Sequence, residues 1–182
     1  MKRTVWVFGL ISGALLSLFM VITLPLTDKI GIDKGEIFGY TGMVLGFLLV
    51  YFGIRSYRDN VAQGQISFGR AFTVGILITI ISSACYVITW EVIYFKVMPD
   101  FGAKYAQHMI KAAQASGATP EAIQAKVQAA QEFQRMYDKP LYNMALTFIE
   151  PFPVGLLITL ICAGVLRRKN GRAGHVVAVA TS

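Results

Sequence analysis

The sequence predicts an all-α integral membrane protein: a four-helix bundle with an extramembrane helical hairpin between the third and fourth spans. Three observations predict it. First, 55% of the 182 residues are hydrophobic and only 15% are charged, where a soluble domain carries about 25% charge. Second, the apolar residues gather into four blocks, each about the 17–25 residues that cross a hydrocarbon core of about 30 Å. Third, the stretch from Pro99 to Pro140 is rich in Ala, Gln and alternating charge. Length suits one membrane domain, 1–170, followed by a loose tail, 171–182.

The first span is expected at about 5–24, ending at Pro25. Met1-Lys2-Arg3 before an apolar run resembles a secretory leader. The run is long for one, and no small-x-small site precedes Thr27-Asp28, so it reads as an uncleaved span. The second span is expected at 38–54 and the third at 71–98, with Trp90 as a possible boundary residue by type. The fourth, about 142–166, starts somewhere between Leu141 and Pro151.

The hairpin, about 99–140, reads as two helices. Phe101, Tyr105, Met109 and Ala112 recur at helical spacing. Ser116-Gly117 ends that helix, and Thr119-Pro120-Glu121 starts the next with an N-cap, a proline at the first helical position and an acid in the first turn. Ile123, Val127, Ala130 and Tyr137 line one face of the second helix. The two faces pack together outside the membrane, or one helix lies on the lipid surface; spacing leaves both open.

The net charge is +7. Lys2, Arg3, Arg55, Arg58, Arg70, Arg167, Arg168, Lys169 and Arg172 fall in short segments on one side of the spans. Basic residues so placed orient spans, and they put both termini in the cytoplasm and the hairpin in the periplasm of an inner membrane. No basic stripe with interleaved aromatics points to nucleic acid. Cys85 and Cys162 lie in apolar runs as small buried hydrophobes. His108 and His175 have no evident ligand partners, so no metal and no cofactor is expected.

Small residues recur on every span: Gly9, Gly13 and Ser17; Gly42 and Gly46; Gly75, Thr79 and Ser83; Gly155, Thr159 and Ala163. Close helix approach in lipid depends on such residues. They favour a compact bundle, with a homo-oligomer through one face as the competing use.

Two lone acids are the candidate functional residues. Glu91 lies in the run Ala84–Tyr94, and Glu150 lies in Phe148-Ile149-Glu150-Pro151-Phe152-Pro153. An acid inside a span is costly and needs a partner or water. Counted from Pro99 and Pro140, the two lie within about one helical turn of the same depth. In one reading they share a site near the outer face, and Pro151 and Pro153 interrupt the fourth helix as in transport sites. In the other, Glu150 caps a span that begins at Pro151 and Glu91 sits at headgroup level beside Tyr94. Trp90, Tyr94, Phe95, Tyr142 and Phe148 read as an interface belt rather than a ligand cage. Ser82, Ser83 and Thr159 have no base at a recognisable spacing, so no enzyme is expected.

Several stretches resemble one family. They are Ser67-Phe68-Gly69-Arg70-Ala71-Phe72 with Gly75, Tyr86 to Trp90-Glu91, and Pro99-Asp100-Phe101 with Lys104-Tyr105. Ser116-Gly117-Ala118, Tyr137, Lys139-Pro140-Leu141, Phe148-Ile149-Glu150-Pro151, Pro153-Val154-Gly155 and Leu166-Arg167-Arg168-Lys169 complete the set. The chain resembles the domain of unknown function 4199 family over nearly its whole length. The resemblance implies a small multi-span protein of Gram-negative bacteria, and it implies no activity. The tail from Gly171 departs from the pattern. The expectation is therefore a non-enzymatic interaction or accessory protein whose partners are the bilayer and a protein met by the hairpin. The alternative is a small transporter or channel with Glu91 and Glu150 as a proton- or cation-coupling pair.

Overall fold

The computed structural model describes residues 1–30, 32–117 and 119–168. The expected tail with His175 lies outside the described residues. The elements are α1 (Lys2–Ile30), α2 (Ile32–Asn60), α3 (Phe68–Val92), a π-helical segment (Ile93–Val97), α4 (Phe101–Ala115), α5 (Pro120–Tyr137), α6 (Pro140–Ile149) and α7 (Pro151–Leu166). Four segments are long and apolar enough to cross a membrane: Lys2–Pro25, Ile37–Asn60, Phe68–Val97 and Pro140–Leu166. The protein is a multi-pass membrane four-helix bundle.

Span boundaries differ from the sequence reading where helix and apolarity part company. The apolar span ends at Pro25, but α1 continues through it to Ile30. A proline inside a helix removes one N–H and crowds the preceding turn. The Thr23 hydroxyl lies 2.8 Å from the Phe19 carbonyl and 3.1 Å from that of Met20, giving a second donor in that turn. The second helix outruns the expected 38–54 at both ends. The fourth span begins at Pro140, so Glu150 does not cap it: Glu150 keeps helical angles (φ −69°, ψ −60°) with no side-chain cap bond. Within lipid the backbone must satisfy itself, which favours helix on both sides of this junction despite the following proline.

The packing has a simple plan. α1 and α7 each pack on both α2 and α3, and α2 and α3 touch between them. Glycines set the spacing. A Cβ on Gly13 would lie 2.6 Å from Cys85 Cβ, on Gly46 2.6 Å from Leu16 Cδ2, on Gly75 2.7 Å from Thr159 Cγ2 and on Gly9 2.9 Å from Ile81. One on Gly42 would lie 3.0 Å from Phe19, and one on Gly155 would meet Thr79 and Phe47. These faces thus serve contacts within the chain. Buried hydroxyls join the same seams: Ser12 donates to the Gly46 carbonyl at 2.9 Å, and Thr79 and Thr159 lie 3.0 Å apart. Such bonds average about 0.6 kcal/mol in lipid. Outside, Leu10, Leu18, Leu48, Phe52, Ile88, Ile161 and Val165 are exposed, as lipid-facing side chains are.

At the end of the bundle away from Lys2 and Leu166, α4 and α5 pack together as a hairpin. Ser116 and Gly117 (φ +68°) end α4, and the Thr119 hydroxyl accepts from the Ala122 N–H at 3.4 Å. The buried face of α4 is rotated from the expected one. Ala106 and Ala113 are buried, whereas Met109 is exposed, because close approach of the two helices selects alanines. α5 buries Ala130, with Ile123, Val127 and Tyr137 half-buried beside it, as its spacing suggests.

Gly155→Leu should destabilise the bundle by about 1–3 kcal/mol, the usual cost of overpacking. Gly164→Leu should leave it unchanged, because nothing lies within 4 Å of a Cβ there. Unfolding in mixed micelles measures both, and equal stability of the two variants contradicts the packing.

Candidate functional site beneath the hairpin

The third span carries the site. Beyond Trp90 its backbone widens into the π-helical turn Ile93–Val97, a departure often found at functional positions. The turn brings Tyr94 above Trp90, with ring centroids 5.9 Å apart. Phe101, at the start of α4, packs edge-on to Trp90 at 5.1 Å. Tyr137, at the end of α5, packs edge-on to Tyr94 at 5.2 Å. A Cβ on Gly102 would lie 2.5 Å from the Tyr94 hydroxyl, so glycine lets that phenol reach across α4.

Hydrogen bonds fix this cluster. Trp90 Nε1 donates to the Tyr137 hydroxyl at 2.9 Å. Tyr94 donates to Asp138 Oδ1 at 2.6 Å. On α6, Thr147 donates to Asn143 Oδ1 at 3.1 Å, and Asn143 Nδ2 donates to the Tyr137 carbonyl at 3.2 Å. Asn143 and Thr147 are buried, and a buried amide belongs in such a network because an unpaired one is expensive. Burial pushes the Tyr137 phenol up from its ordinary range, the hydrogen bonds with Thr147 and Trp90 pull it down, and the charges of Glu150 and Glu91 push it up again. The expected interface belt is therefore divided: Trp90 and Tyr94 clamp the hairpin to the bundle, and Phe148 stacks on Phe152 with centroids 5.0 Å apart.

The clamp closes a cavity of about 310 Å³ between hairpin and bundle. Its walls include Phe19, Met20 and Leu24 of α1, Gly39 and Met43 of α2, Tyr86 and Trp90 of α3, Tyr105 and Ala106 of α4, Phe133, Gln134 and Tyr137 of α5, and Glu150. That size is at the lower end of small-molecule sites, and the mixture of apolar wall with a few polar groups is what such sites show.

The two acids occupy different places. Glu150 lines the cavity, where the Tyr86 hydroxyl donates to its Oε2 at 3.3 Å. Glu91 lies five residues beyond Tyr86, about 7.5 Å further along the helix and about 140° around it. It is not among the cavity walls. Its Oε1 is buried with no hydrogen-bond partner. Similar depth along the span thus does not place the carboxylates on one face. Tyr137 lies within electrostatic reach of both. Pro151 and Pro153 begin α7 directly after Glu150, and Pro151 is buried. Sequence reasoning missed Tyr86, Tyr105, Gln134 and the α1 wall. Tyr86 carried a signal as a phenol within an apolar span, and Tyr105 lay on the expected apolar face of the first hairpin helix. Among the described residues no group of three metal-ligating side chains occurs.

A family model described as "Protein of unknown function (DUF4199)" matches residues 7–168. The chain belongs to the DUF4199 family. The match covers the first span from residue 7, the other three spans, the hairpin and both acids, so the site beneath the hairpin lies inside the DUF4199 region. No curated protein and no solved structure matches the chain.

Tyr137→Phe strands the Trp90 indole N–H and should cost about 1–3 kcal/mol of hairpin docking. Tryptic cleavage at Lys126 and Arg135 should then speed up by about tenfold or more, because local opening governs cleavage. An unchanged rate contradicts the clamp. The same assay has a pH signature. The folded phenol titrates above its unfolded value of about 10, so its contribution is complete below about pH 10 and is lost as pH rises through the folded value.

Proposed function

We propose that the protein holds a small amphipathic ligand in the cavity beneath its hairpin, without transforming it. One observation carries this reading: the cavity joins an apolar and aromatic wall to a single membrane-embedded carboxylate, Glu150, at the junction of α6 and α7. Acids inside membrane bundles mark ligand and ion pathways, and broken helices mark binding sites in transporters. Tyr86, Tyr105, Tyr137 and Gln134 supply hydrogen bonds that orient a polar end, and the α1 and α2 side chains cover an apolar body.

The cavity admits a direct test. The chain has two tryptophans, and Trp6→Phe leaves Trp90 on the cavity wall as the sole tryptophan. In lipid nanodiscs, N-octyl dansylamide should show saturable energy transfer from Trp90. Gly39→Leu fills the cavity from α2, where a Cβ has nothing within 4 Å, and should abolish the saturable part. Transfer that never saturates, or that Gly39→Leu leaves intact, overturns the reading.

The hairpin supports a second role, as an accessory subunit. α5 turns Glu121, Gln124, Gln128, Gln131, Glu132 and Arg135 outward on a helix fixed to the bundle. A partner meeting this face should cross-link to Gln128 in native membranes, and lipid adducts alone would count against it. A transport version with Glu91 and Glu150 as a coupling pair has as its support that both charges act on the Tyr137 phenol. In that version Glu91→Gln and Glu150→Gln each abolish proton-driven flux in proteoliposomes.

Placement follows from charge. Lys2, Arg3, Arg55, Arg58, Arg70, Arg167 and Arg168 all belong to the end of the bundle opposite the hairpin, where the Arg168 N–H donates to the Ile66 carbonyl at 2.9 Å. By the basic-residue rule that end faces the cytoplasm of the inner membrane. Alkaline phosphatase inserted after Ala122 should be active and a C-terminal green fluorescent protein should glow; the reverse pattern overturns the orientation.

A further inference from the structure

A second feature lies on the outer side of α3, away from the cavity. Ala84, Val87 and Ile88 form an open apolar groove with Leu141, Met144, Ala145, Phe148 and Ile149 of α6. Ile88, Leu141 and Ile149 are exposed at 65%, 83% and 61%, so the groove faces the lipid.

Glu91 stands over it. Glu91 is three residues after Ile88, four after Val87 and seven after Ala84, which is the spacing of a single helix face. Helical side chains lean toward the N-terminus and cover the preceding turn. Glu91 therefore lies on the face of α3 that carries Val87 and Ile88, one turn beyond them at the hairpin end of the groove. One of its oxygens is buried without a hydrogen-bond partner, and among the described residues Glu91 makes no ion pair. The other oxygen, Oε2, is not shut in, and a donor from outside the chain that reaches it offsets the cost of a carboxylate with no partner at this depth.

The depth identifies where that donor comes from. Arg70 and Glu91 are separated by about 31 Å of helix, close to the thickness of the hydrocarbon core. With Arg70 at one boundary, Glu91 lies at the other, among the phospholipid headgroups. From there the groove runs about 10 Å inward to Ala84, alongside the outer part of an acyl chain.

We propose that Glu91 and the α3–α6 groove form a site for a phospholipid with a primary ammonium headgroup. The ammonium donates to Glu91, and an acyl chain lies against Val87, Ile88, Ala145 and Phe148. A primary ammonium has three N–H donors, whereas a quaternary ammonium has the charge but no N–H, and a glycerol headgroup lacks the positive charge. Charge and donor together select the first.

Native mass spectrometry of the full chain tests this. The protein is released from nanodiscs of equal phosphatidylethanolamine, phosphatidylcholine and phosphatidylglycerol with identical chains. Phosphatidylethanolamine should be retained about tenfold over the other two, as one charge-assisted hydrogen bond gives. Glu91→Gln should equalise the three lipids, and Ala145→Phe, which blocks the groove, should lower retention of all. Equal retention by the wild type overturns the proposal without any variant having to fold. So does an ethanolamine preference that survives Glu91→Gln, or retention that Ala145→Phe leaves unchanged.

Discussion

The hydrogen bond from the Trp90 indole to the Tyr137 hydroxyl is the contact on which the upper half of the molecule depends. Trp90 belongs to the bundle and Tyr137 to the hairpin, 47 residues later in the chain. The Tyr94–Asp138 bond and the Asn143–Tyr137 carbonyl bond fix the same junction from either side. Together they set the hairpin over the end of the bundle. The cavity follows from that placement, because α4 and α5 supply one wall and α1, α2 and α3 the other.

Beneath this junction the bundle obeys a different rule. Lipid offers no hydrophobic drive to bring apolar helices together, so contact depends on close backbone approach and on hydroxyls that find carbonyls across a seam. Gly13 against Cys85, Gly46 against Leu16 and Gly75 against Thr159 supply the first; Ser12, on the Gly46 carbonyl, and Thr79, on the Gly155 carbonyl, supply the second. Ser82 does both, sitting 2.8 Å from the Ile78 carbonyl of its own helix and 3.1 Å from the Gly9 carbonyl of α1. A tightly drawn bundle capped by a bonded hairpin gives Glu150 and Glu91 separate surroundings. Glu150 looks into a phenol-lined cavity between hairpin and bundle. Glu91 lies one turn beyond Val87 and Ile88 on the α3 face that carries the lipid-open groove.

Much of the fold was legible in the sequence because its signals are local. Apolar blocks have the length of a bilayer, and the Ser116-Gly117 stop and Thr119-Pro120 start of the hairpin are read from adjacent residues. The glycine spacing named the seams without naming which helix each one meets. Helix ends were less legible: α1 passes Pro25, since backbone bonding continues where side-chain pattern changes, and the fourth span, expected from about 142, left open whether Glu150 caps it. The site was half legible. The rarity of acids in spans singled out Glu91 and Glu150. Their depth could be counted, but their direction depends on the helix azimuth set by packing, so the Tyr86–Glu150 bond and the unpartnered Glu91 Oε1 emerged only in three dimensions. The π-helical turn has no sequence signal of this kind, and the α4 face was misjudged because large residues were weighed above Ala106 and Ala113.

The central claim is that the hairpin is fixed to the bundle. Double electron–electron resonance between spin labels at Gln128 of α5 and Val44 of α2, in a background with Cys85 and Cys162 replaced by serine, measures it most directly. The structure predicts one narrow distance distribution in lipid. A broad distribution spanning several separations, with the clamp residues intact, would contradict the account.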